Sequence, residues 1–468
     1  MENIIVKTVI RLKAILPNRF KKRGLIAVFL LIINSLLELL GLASIIPLFN
    51  VIMKDGIIHQ NYYLSFIYNS FGYSSESNFI ITICAFVVLI IFIKNIIGIL
   101  IQKYQSRFSL DLMSFFMLKL HKYFFQKGFL FFKETNSVLI NRDIFAVPQR
   151  FSQIIVLGVF NLFHEILVLI LIVTAIVLYN PGIVLLLLFT VVPVFVIFYL
   201  ATKNKIKKLG DDFHDLSPEI GNNIFQSVFG YIDVMINGTY LFFSNRIKKN
   251  MDAFKNISID MIVYKLIPSK LIEISMISSI FVIIIYGLKF MTSKEELLSL
   301  LGIYTIAAYR IMPSINRIMI ALNGISENQY TIPVLEKLVN FKSDGNKIVS
   351  EINFIEKISI SKVCFKYPNS NDNIINNFNC TINKGEIICI KGNSGGGKTT
   401  LMNLMLGFLK PNSGEIKIDG QVLNNSNIES WQHKIGYVQQ EVYLLDSSIA
   451  ENIAFGIDKS LIDYDKIN

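Results

Sequence analysis

Long apolar runs separated by polar, basic segments dominate the first two thirds of the chain. A helix needs about 20 residues to cross the ~30 Å hydrocarbon layer of a bilayer. The apolar run of the first segment is too long for a signal peptide, and no small-residue cleavage site ends it. Six segments are predicted to be transmembrane helices: Gly24–Phe49, Phe79–Gln102, Ile154–Tyr179, Ile183–Leu200, Leu271–Phe290 and Leu297–Leu322.

Lysine and arginine residues alternate between the segments that connect these spans. They are abundant before the first span, after the second and after the fourth, whereas the other loops are poor in them and contain only Lys54 and Lys294. Segments rich in Lys and Arg stay in the cytoplasm. Both termini and the two long loops are therefore predicted to be cytoplasmic, and a hydrophobic soluble protein would not produce this alternation.

The long loops have helical periodicity. Apolar residues recur at helical spacing from Tyr104 to Leu118, and Arg107 lies one turn from Asp111, which predicts an ion pair between them. A continuous helix over residues 79–130 would be roughly 78 Å long at 1.5 Å per residue. The bilayer accounts for less than half of that length, so we expect the helix to project into the cytoplasm.

Composition supports a membrane protein and argues against a nucleic-acid binder. Only 17% of the residues are charged, and 53% are hydrophobic. The net charge of +11 follows the membrane topology rather than an aromatic-rich basic patch of a soluble domain. The four cysteines form no C-x-x-C pair and predict neither a metal site nor disulfides: Cys84, Cys364, Cys380 and Cys389.

The pattern changes at about Ile352, where short strand-like segments replace the spans. These segments are ISISKVCFKY, FNCTIN, EIICIK, EIKIDG and IGYVQQ, and the polar stretch FKSDGNKIVSEI precedes them. We place a domain boundary near Asp344. The predicted organisation is a transmembrane domain over residues 1–343, with an N-terminal amphipathic segment, followed by an α/β domain over residues 344–468.

A phosphate-binding loop lies within the second domain. The sequence GNSGGGKT fits G-x-x-x-x-G-K-[ST], with a buried-type strand predicted at Ile387–Ile390 before it and a helix at Thr400–Leu409 after it. Glycines let backbone N–H groups close on an anion, and the helix start adds its positive dipole end. The lysine would reach the β- and γ-phosphates of ATP, and the threonine hydroxyl would bind Mg²⁺. The predicted nucleotide-binding residues are Gly392, Asn393, Ser394, Gly395, Gly396, Gly397, Lys398, Thr399 and Thr400.

Three neighbouring segments resemble the nucleotide-binding domain of ATP-binding cassette (ABC) transporters: CFKYPNSNDNIINNFNCTINKGE, SGEIKIDG and IGYVQQEVYLLDSSIAENIAFG. The resemblance implies that Tyr367 stacks on adenine. It also implies that Gln440, rather than Gln439, contacts Mg²⁺ or the attacking water. Six spans followed by a cassette are similar to an exporter half-transporter, which implies a second half-transporter as partner, most simply an identical copy.

Several family motifs are absent from the 468 residues: the signature segment, the Asp–Glu pair of the Walker B strand and the switch histidine. We therefore expect this chain alone to contact ATP but to hydrolyse it poorly. A fragment of a longer protein is the favoured explanation, while a frameshift or a second chain that supplies the missing half stays open. An ATP-binding membrane protein without turnover is one alternative function.

Three cations inside the predicted spans suggest what is transported, because intramembrane charges are often functional. Lys94 and Arg310 should lie at similar depth, and Arg310 and Arg317 share a helix face. A ring of cations would suit an anionic head group such as a diphosphate. The alternative is internal pairing with Glu38, Glu165 or Glu273, with Arg317 reaching to the cytoplasmic surface.

The segment FFKETNSVLINRDI, together with the paired arginines, resembles bacterial flippases for lipid-linked oligosaccharides. This resemblance implies ATP-driven flipping of an anionic lipid-linked glycan or related polysaccharide precursor in a bacterial inner membrane. Multidrug, peptide and lipid exporters of the same architecture remain alternatives. The segments Lys133–Ile144 and Gln226–Ile247 resemble the coupling regions through which such exporters contact the cassette.

Overall fold

A computed structural model gives the structure of the chain. Some side chains within helices are not described, among them that of Lys294. Three features of the sequence analysis fall outside the described residues. They are the predicted domain boundary near Asp344, the residue Lys54, and the end of the first predicted span at Phe49. The structure describes residues 4–45, 48, 51, 57–73, 75–179, 181–290, 294–341, 350–368, 370–440 and 442–467.

The chain divides into two compact units. The first contains Met1–Lys127 and Phe131–Ser343, and the second contains Gly128–Leu130 and Asp344–Asn468. Among its described residues, the first unit is helical wherever it has regular structure, and the second combines a small sheet with short helices.

Long helices build the first unit. In chain order they are α1 (Ile4–Ile15), α2 (Asn18–Ala43), α3 (Ile57–Gln60), α4 (Tyr62–Ser70), α5 (Glu76–Phe125), α6 (Phe129–Glu134), α7 (Ser137–Arg150), α8 (Leu157–Tyr179), α9 (Pro181–Phe229), α10 (Tyr231–Ile236), α11 (Tyr240–Phe290), α12 (Lys294–Glu327) and α13 (Thr331–Glu336). A wider π-helical turn, Phe151–Val156, joins α7 to α8. Pro148, which has no N–H to donate within the helix, lies just before this turn.

The described parts of the predicted spans are mostly helical, and the helical membrane-type fold is confirmed. Within the described residues, four helical stretches are long and apolar enough to cross a membrane: Asn18–Gly41, Glu76–Phe125, Ser137–Leu178 and Tyr240–Lys289. The other two predicted segments lie in α9 and α12. Many apolar side chains on these helices face outward, as Phe86 and Val88 do. A soluble protein rarely exposes such a surface.

Helix α5 has the length that periodicity predicts, because its 50 residues span about 75 Å. The predicted ion pair within it is wrong. Asp111 instead accepts a hydrogen bond from the guanidinium of Arg23 on α2, at 2.7 Å. A contact between helices therefore replaces the expected contact along one helix.

The second unit is built on an antiparallel sheet in the order β2-β1-β3-β4. Its strands are β1 (Lys357–Phe365), β2 (Ile375–Asn383), β3 (Ser413–Ile418) and β4 (Gln421–Val422). Helix α14 (Lys398–Met405) packs its buried residues Leu401 and Leu404 into the same apolar core as the sheet. Two shorter helices, α15 (Ile428–Gln432) and α16 (Ile449–Ile453), follow.

A bulge interrupts β1 and changes the spacing of its buried side chains. Ile358 and Ile360 alternate as expected, but the next buried residue is Val363. Lys362 has a φ of 49°, and the register shifts beside it. Gly414 on β3 comes so close to the Lys362 carbonyl that a Cβ there would collide with it. Glycine is therefore required at that crossing.

Two of the predicted strands are wrong. EIICIK and IGYVQQ both lie within the described residues and form no regular structure there, and Ile387, expected to be buried, is 100% exposed. A strand of the buried type forms only where neighbouring strands satisfy its backbone groups. Among the described residues, no strand pairs with either segment.

We expect Gly210→Ala to destabilise the helical unit. A Cβ on Gly210 in α9 would collide with the backbone carbonyl of Glu327 in α12, which cannot move aside as a flexible side chain would. The strain of forcing extra atoms into a packed site is about 1–3 kcal/mol, which exceeds the ~1 kcal/mol that alanine gains over glycine within a helix. Thermal unfolding of the detergent-solubilised protein should show a lower Tm.

Gly24→Ala is the matched control, because its added Cβ would lie 3.8 Å from Phe108 in ordinary contact. That variant should melt at the wild-type temperature or above it. Equal melting of the two variants would contradict a tight crossing of α9 and α12 at Gly210.

Candidate functional site

The phosphate loop connects an irregular segment to the start of α14. Gly395 and Gly397 have φ values of 79° and 82°, a region that favours glycine. The N–H of Gly396 donates to the carbonyl of Asn393 at 3.0 Å and closes the turn. Gly397 is the residue that caps α14, so the loop leads directly into the helix N-terminus. Such an end attracts anions.

Lys398 folds back over this loop. Its Nζ donates to the carbonyl oxygens of Gly392 and Asn393, each at 2.8 Å. The ammonium is therefore held by neutral acceptors. A phosphate oxygen in their place would add the attraction between opposite charges to the hydrogen bond.

Tyr367 lies beside the loop, as its predicted role requires. Its hydroxyl is 3.2 Å from the hydroxyl of Thr400, which is buried in the first turn of α14. Its ring packs edge-on against Phe365, with 5.1 Å between centroids. Thr399, the predicted Mg²⁺ ligand, is exposed at the start of the helix.

Gln440 is the remaining predicted site residue of the second unit. It lies exposed in the irregular segment after α15, next to Glu441, which is outside the described residues. No hydrogen bond joins Gln440 to Thr399 or Lys398 within the described part of the second unit. Its role as an Mg²⁺ or water contact remains a prediction.

The loop fits a nucleoside triphosphate chemically. A Cβ on Gly397 would come within 3.0 Å of Ile374 and Ile375, and a Cβ on Gly396 equally close to the Asn393 carbonyl. Phosphates bind to exposed backbone N–H groups and to an adjacent lysine, and the Mg²⁺ that accompanies them binds to an adjacent hydroxyl. Bound ATP would supply the phosphoryl group whose transfer releases energy. This chain's residues would position and neutralise that group.

The intramembrane cations all meet carboxylates. Glu38 on α2 contacts the guanidinium of Arg310 on α12 and lies 3.7 Å from Nζ of Lys94 on α5. Glu165 on α8 contacts Nε of Arg317 on α12. The Nη2 of Arg317 donates a second hydrogen bond, at 3.3 Å, to the other carboxylate oxygen of Glu165. The structure therefore contains two of the internal pairings that the sequence left open.

Glu273, the third candidate partner, does not join these arginines. It pairs instead with Lys270, one turn away on α11, at 3.1 Å, and the two side chains are 43% and 73% exposed. Such exposed pairs contribute little to stability.

A polar cavity of about 200 Å³ lies between the helices beside the ion pairs. Sequence reasoning missed most of its lining, because it searched the spans for charges and not for amides. The signal was present, since Asn34 and Glu38 lie one helical turn apart, as do Gly98 and Gln102. The polar residues that line the cavity are Asn34, Glu38, Gln102, Gln105, Asn161, His164, Glu165 and Arg317.

His164 is held within this cluster by neutral partners. Its Nδ1 lies 2.9 Å from the hydroxyl of Ser35, which itself donates to the Leu31 carbonyl, and its Nε2 lies 3.3 Å from the amide nitrogen of Asn34. The arrangement in which the Ser35 hydroxyl donates to Leu31 is satisfied when Nδ1 carries the hydrogen and Nε2 accepts from Asn34. This assignment describes a neutral imidazole.

The two predicted coupling regions differ in structure. Gln226–Ile247 contains the short helix α10, which Gly230 precedes and Gly238 follows, and Ile232 and Ile236 on this helix are exposed. Lys133–Ile144 has no separate helix of its own, because the end of α6 and the first half of α7 share it. Their coupling role remains a prediction.

Removing the phosphate-loop lysine should weaken nucleotide binding. We expect Lys398→Ala to raise the Kd for ATP by at least about tenfold, because charge-assisted hydrogen bonds contribute roughly 1.5–3 kcal/mol. Binding of a fluorescent ATP analogue to the detergent-solubilised chain measures this effect. Lys410→Ala, an exposed lysine just beyond α14, is the control. A wild-type Kd for Lys398→Ala would contradict the assignment of the loop.

Two substitutions at Tyr367 separate its ring from its hydroxyl. If the ring stacks on adenine, Tyr367→Phe retains ATP binding although it loses the hydrogen bond to Thr400. Tyr367→Ala should then weaken binding by about 1–3 kcal/mol, the usual value for a stacked base. The same nucleotide titration decides between them. Equal losses in both variants would assign the effect to the hydroxyl instead.

Comparison with known proteins agrees with the geometry of the second unit. The family model for "ABC transporter" matches residues 375–466. The chain is 37% identical over 102 residues to the "ATP-dependent lipid A-core flippase" of Alkalilimnicola ehrlichii, which is 22% of this chain and 17% of that protein. It is 26% identical over 226 residues to the "Multidrug resistance ABC transporter ATP-binding and permease protein" of Lactococcus lactis subsp. lactis, which is 47% and 38% of the two chains.

A third relative, "ABC transporter B family member 1" of Dictyostelium discoideum, is 28% identical over 295 residues, which cover 59% of this chain and 31% of the relative. Among these relatives and the others compared, the matched part covers between 9% and 42% of the relative's own length. The matches include both nucleotide-binding and permease-containing proteins, and the chain combines apolar membrane helices with a phosphate loop. Residues 375–466 therefore match the ABC transporter family, and this matched segment follows the apolar, membrane-type helices of the first unit along the chain.

Proposed function

We propose that this chain is a subunit of an ATP-driven exporter that moves an anionic lipid-linked oligosaccharide, or a related polysaccharide precursor, across a bacterial inner membrane. The observation that carries the proposal is the charge of the buried polar cluster in the first unit. Three cations, Lys94, Arg310 and Arg317, share two carboxylates, Glu38 and Glu165. An anionic head group would balance the remaining positive charge.

The second unit would supply the energy. Residues Gly392–Thr400 would surround the phosphates, Tyr367 would stack on adenine, and Thr399 with Gln440 would contact Mg²⁺. Lys398 and Gln440 would act on the γ-phosphate and its attacking water. The family match over residues 375–466 supports ATP binding, and the position of Lys398 over the loop supports its role.

The assembly we propose is a homodimer with its termini in the cytoplasm. Lysine and arginine are abundant at the N-terminus and in the two long loops, and this distribution supports the orientation. The half-transporter organisation supports a second copy as partner.

A multidrug exporter is the second candidate, and one observation favours it. The Lactococcus relative named for multidrug resistance matches 47% of the chain, against 22% for the lipid A-core flippase. On this alternative the arginines stabilise the helical bundle through their carboxylates, and apolar surfaces bind the substrate.

Transport in proteoliposomes distinguishes the two candidates. Because this chain alone is expected to hydrolyse ATP poorly, the test uses an assembly in which the missing signature and Walker B motifs are supplied. In that assembly we expect ATP-dependent translocation of a fluorescent polyprenyl-diphosphate saccharide, and not of a neutral hydrophobic dye. Arg310→Ala and Arg317→Ala should each reduce the rate by at least about tenfold, because a lost contact to a charged group costs roughly 1.5–3 kcal/mol.

Lys270→Ala is the control, since that lysine is exposed and its pair with Glu273 lies apart from the cluster. Melting temperatures of all three variants show whether they remain folded. Dye transport that is unaffected by either arginine substitution would favour the multidrug exporter.

A further inference from the structure

The two carboxylates of the membrane cluster face different numbers of cations. Glu165 is 4% exposed and faces one cation, Arg317, through both of its oxygens. Glu38 faces two cations, because it contacts Arg310 and lies 3.7 Å from Lys94. With neutral His164, three cations minus two carboxylates leave one positive charge, and that excess lies at Glu38.

The excess charge is shielded from solvent. The side chains of Lys94, Glu38 and Arg310 are 20%, 19% and 16% exposed. Among the described residues, no acceptor satisfies the buried Nε of Arg310. Uncompensated charge in an apolar bundle is costly, so this group of cations attracts a further anion.

Glu38 also has a polar space beside it. Its side chain lines the 200 Å³ cavity together with Asn34, Gln102 and Gln105, whose amide groups can donate hydrogen bonds to a carboxylate. Two glycines allow α2 and α5 to approach each other closely near this cavity. A Cβ on Gly41 would come within 3.0 Å of the Lys94 side chain, and one on Gly98 would lie 3.5 Å from Asn34.

We propose that Glu38 is an internal counter-anion that occupies an anion site formed by Lys94 and Arg310, and that an anionic group of the transported lipid displaces it. This inference rests on the proposed function and adds a specificity-determining residue to it. The displaced carboxylate moves toward the amide groups of the cavity. A diphosphate, which carries more than one negative charge, can neutralise both cations, whereas Glu38 cannot.

The alternative is that Glu38 only holds the helices together. The two roles predict opposite effects of Glu38→Gln, which keeps the size and removes the charge. If Glu38 only holds the helices together, Glu38→Gln should weaken anion binding or unfold the protein. If Glu38 competes with the anionic ligand, Glu38→Gln should strengthen anion binding.

The test measures binding of farnesyl diphosphate to the full chain in neutral-lipid nanodiscs. Farnesol and inorganic pyrophosphate are titrated separately, as the lipid part and the diphosphate part of the ligand. Gluconate replaces chloride in the buffer, so that no small anion occupies the site. We expect Glu38→Gln to lower the Kd for farnesyl diphosphate by at least about tenfold, the scale of one close charge pair. Farnesol binding should not change. If Glu38→Gln strengthens the binding of inorganic pyrophosphate as much as that of farnesyl diphosphate, the group recognised is the diphosphate and not the lipid.

Four further variants complete the test. Glu273→Gln removes a carboxylate that faces neither Lys94 nor Arg310 and should bind as the wild type does. Arg310→Gln should weaken binding, and Glu38→Gln combined with Arg310→Gln should lose the gain. Lys94→Gln gives a second measurement on the same site if an Arg310 variant fails to fold.

The outcomes separate the inference from the function on which it rests. Unchanged or weaker binding to Glu38→Gln, while Arg310→Gln still weakens it, would overturn the role of Glu38 and leave the anionic substrate standing. Equal binding to the wild type and to the Arg310 and Lys94 variants would overturn the anion site itself, and with it the proposed substrate class. Binding to Glu38→Gln but not to the wild type would support the inference.

Discussion

The helical unit depends on one constraint: a charge placed among apolar helices is costly unless an opposite charge lies beside it, because lipid offers no water. Glu38 on α2 meets Lys94 on α5 and Arg310 on α12, and Glu165 on α8 meets Arg317 on α12. These contacts determine which faces of four helices turn toward one another. Without them, each apolar helix would have no electrostatic preference for one face over another.

The pattern of the sequence predicted the membrane helices well, because each one depends on its own residues. Length and hydropathy are local properties, and a helix satisfies its own backbone. Partners across helices could not be predicted in the same way. Asp111 shows this, because its neighbour one turn away is Arg107 but its partner is Arg23, far away in the sequence. The pairing of Arg310 with Glu38 likewise depends on which helices are neighbours, which periodicity does not encode.

The same distinction explains the second unit. The phosphate loop was predictable because glycine, lysine and threonine at fixed spacing determine a local turn, and the structure has that turn with Gly395 and Gly397 in the left-handed region. Ile387–Ile390 has the composition of a buried strand, but burial needs neighbouring strands that a local pattern cannot guarantee. The bulge at Lys362 was equally hidden, because it lies where β1 meets Gly414 of another strand, far away in the sequence.

The nucleotide site and the membrane cluster share a physical principle. In both, an acceptor of the protein itself contacts a cation, and an anionic ligand would replace that acceptor. At Lys398 the acceptors are neutral carbonyls, which a phosphate oxygen readily replaces because its charge strengthens the hydrogen bond. At Lys94 and Arg310 the acceptor is itself a carboxylate, so a singly charged anion gains little by replacing it. A ligand must therefore carry more negative charge than Glu38 does. The membrane site is the more selective of the two, and its selectivity comes from the shortage of one carboxylate among three cations.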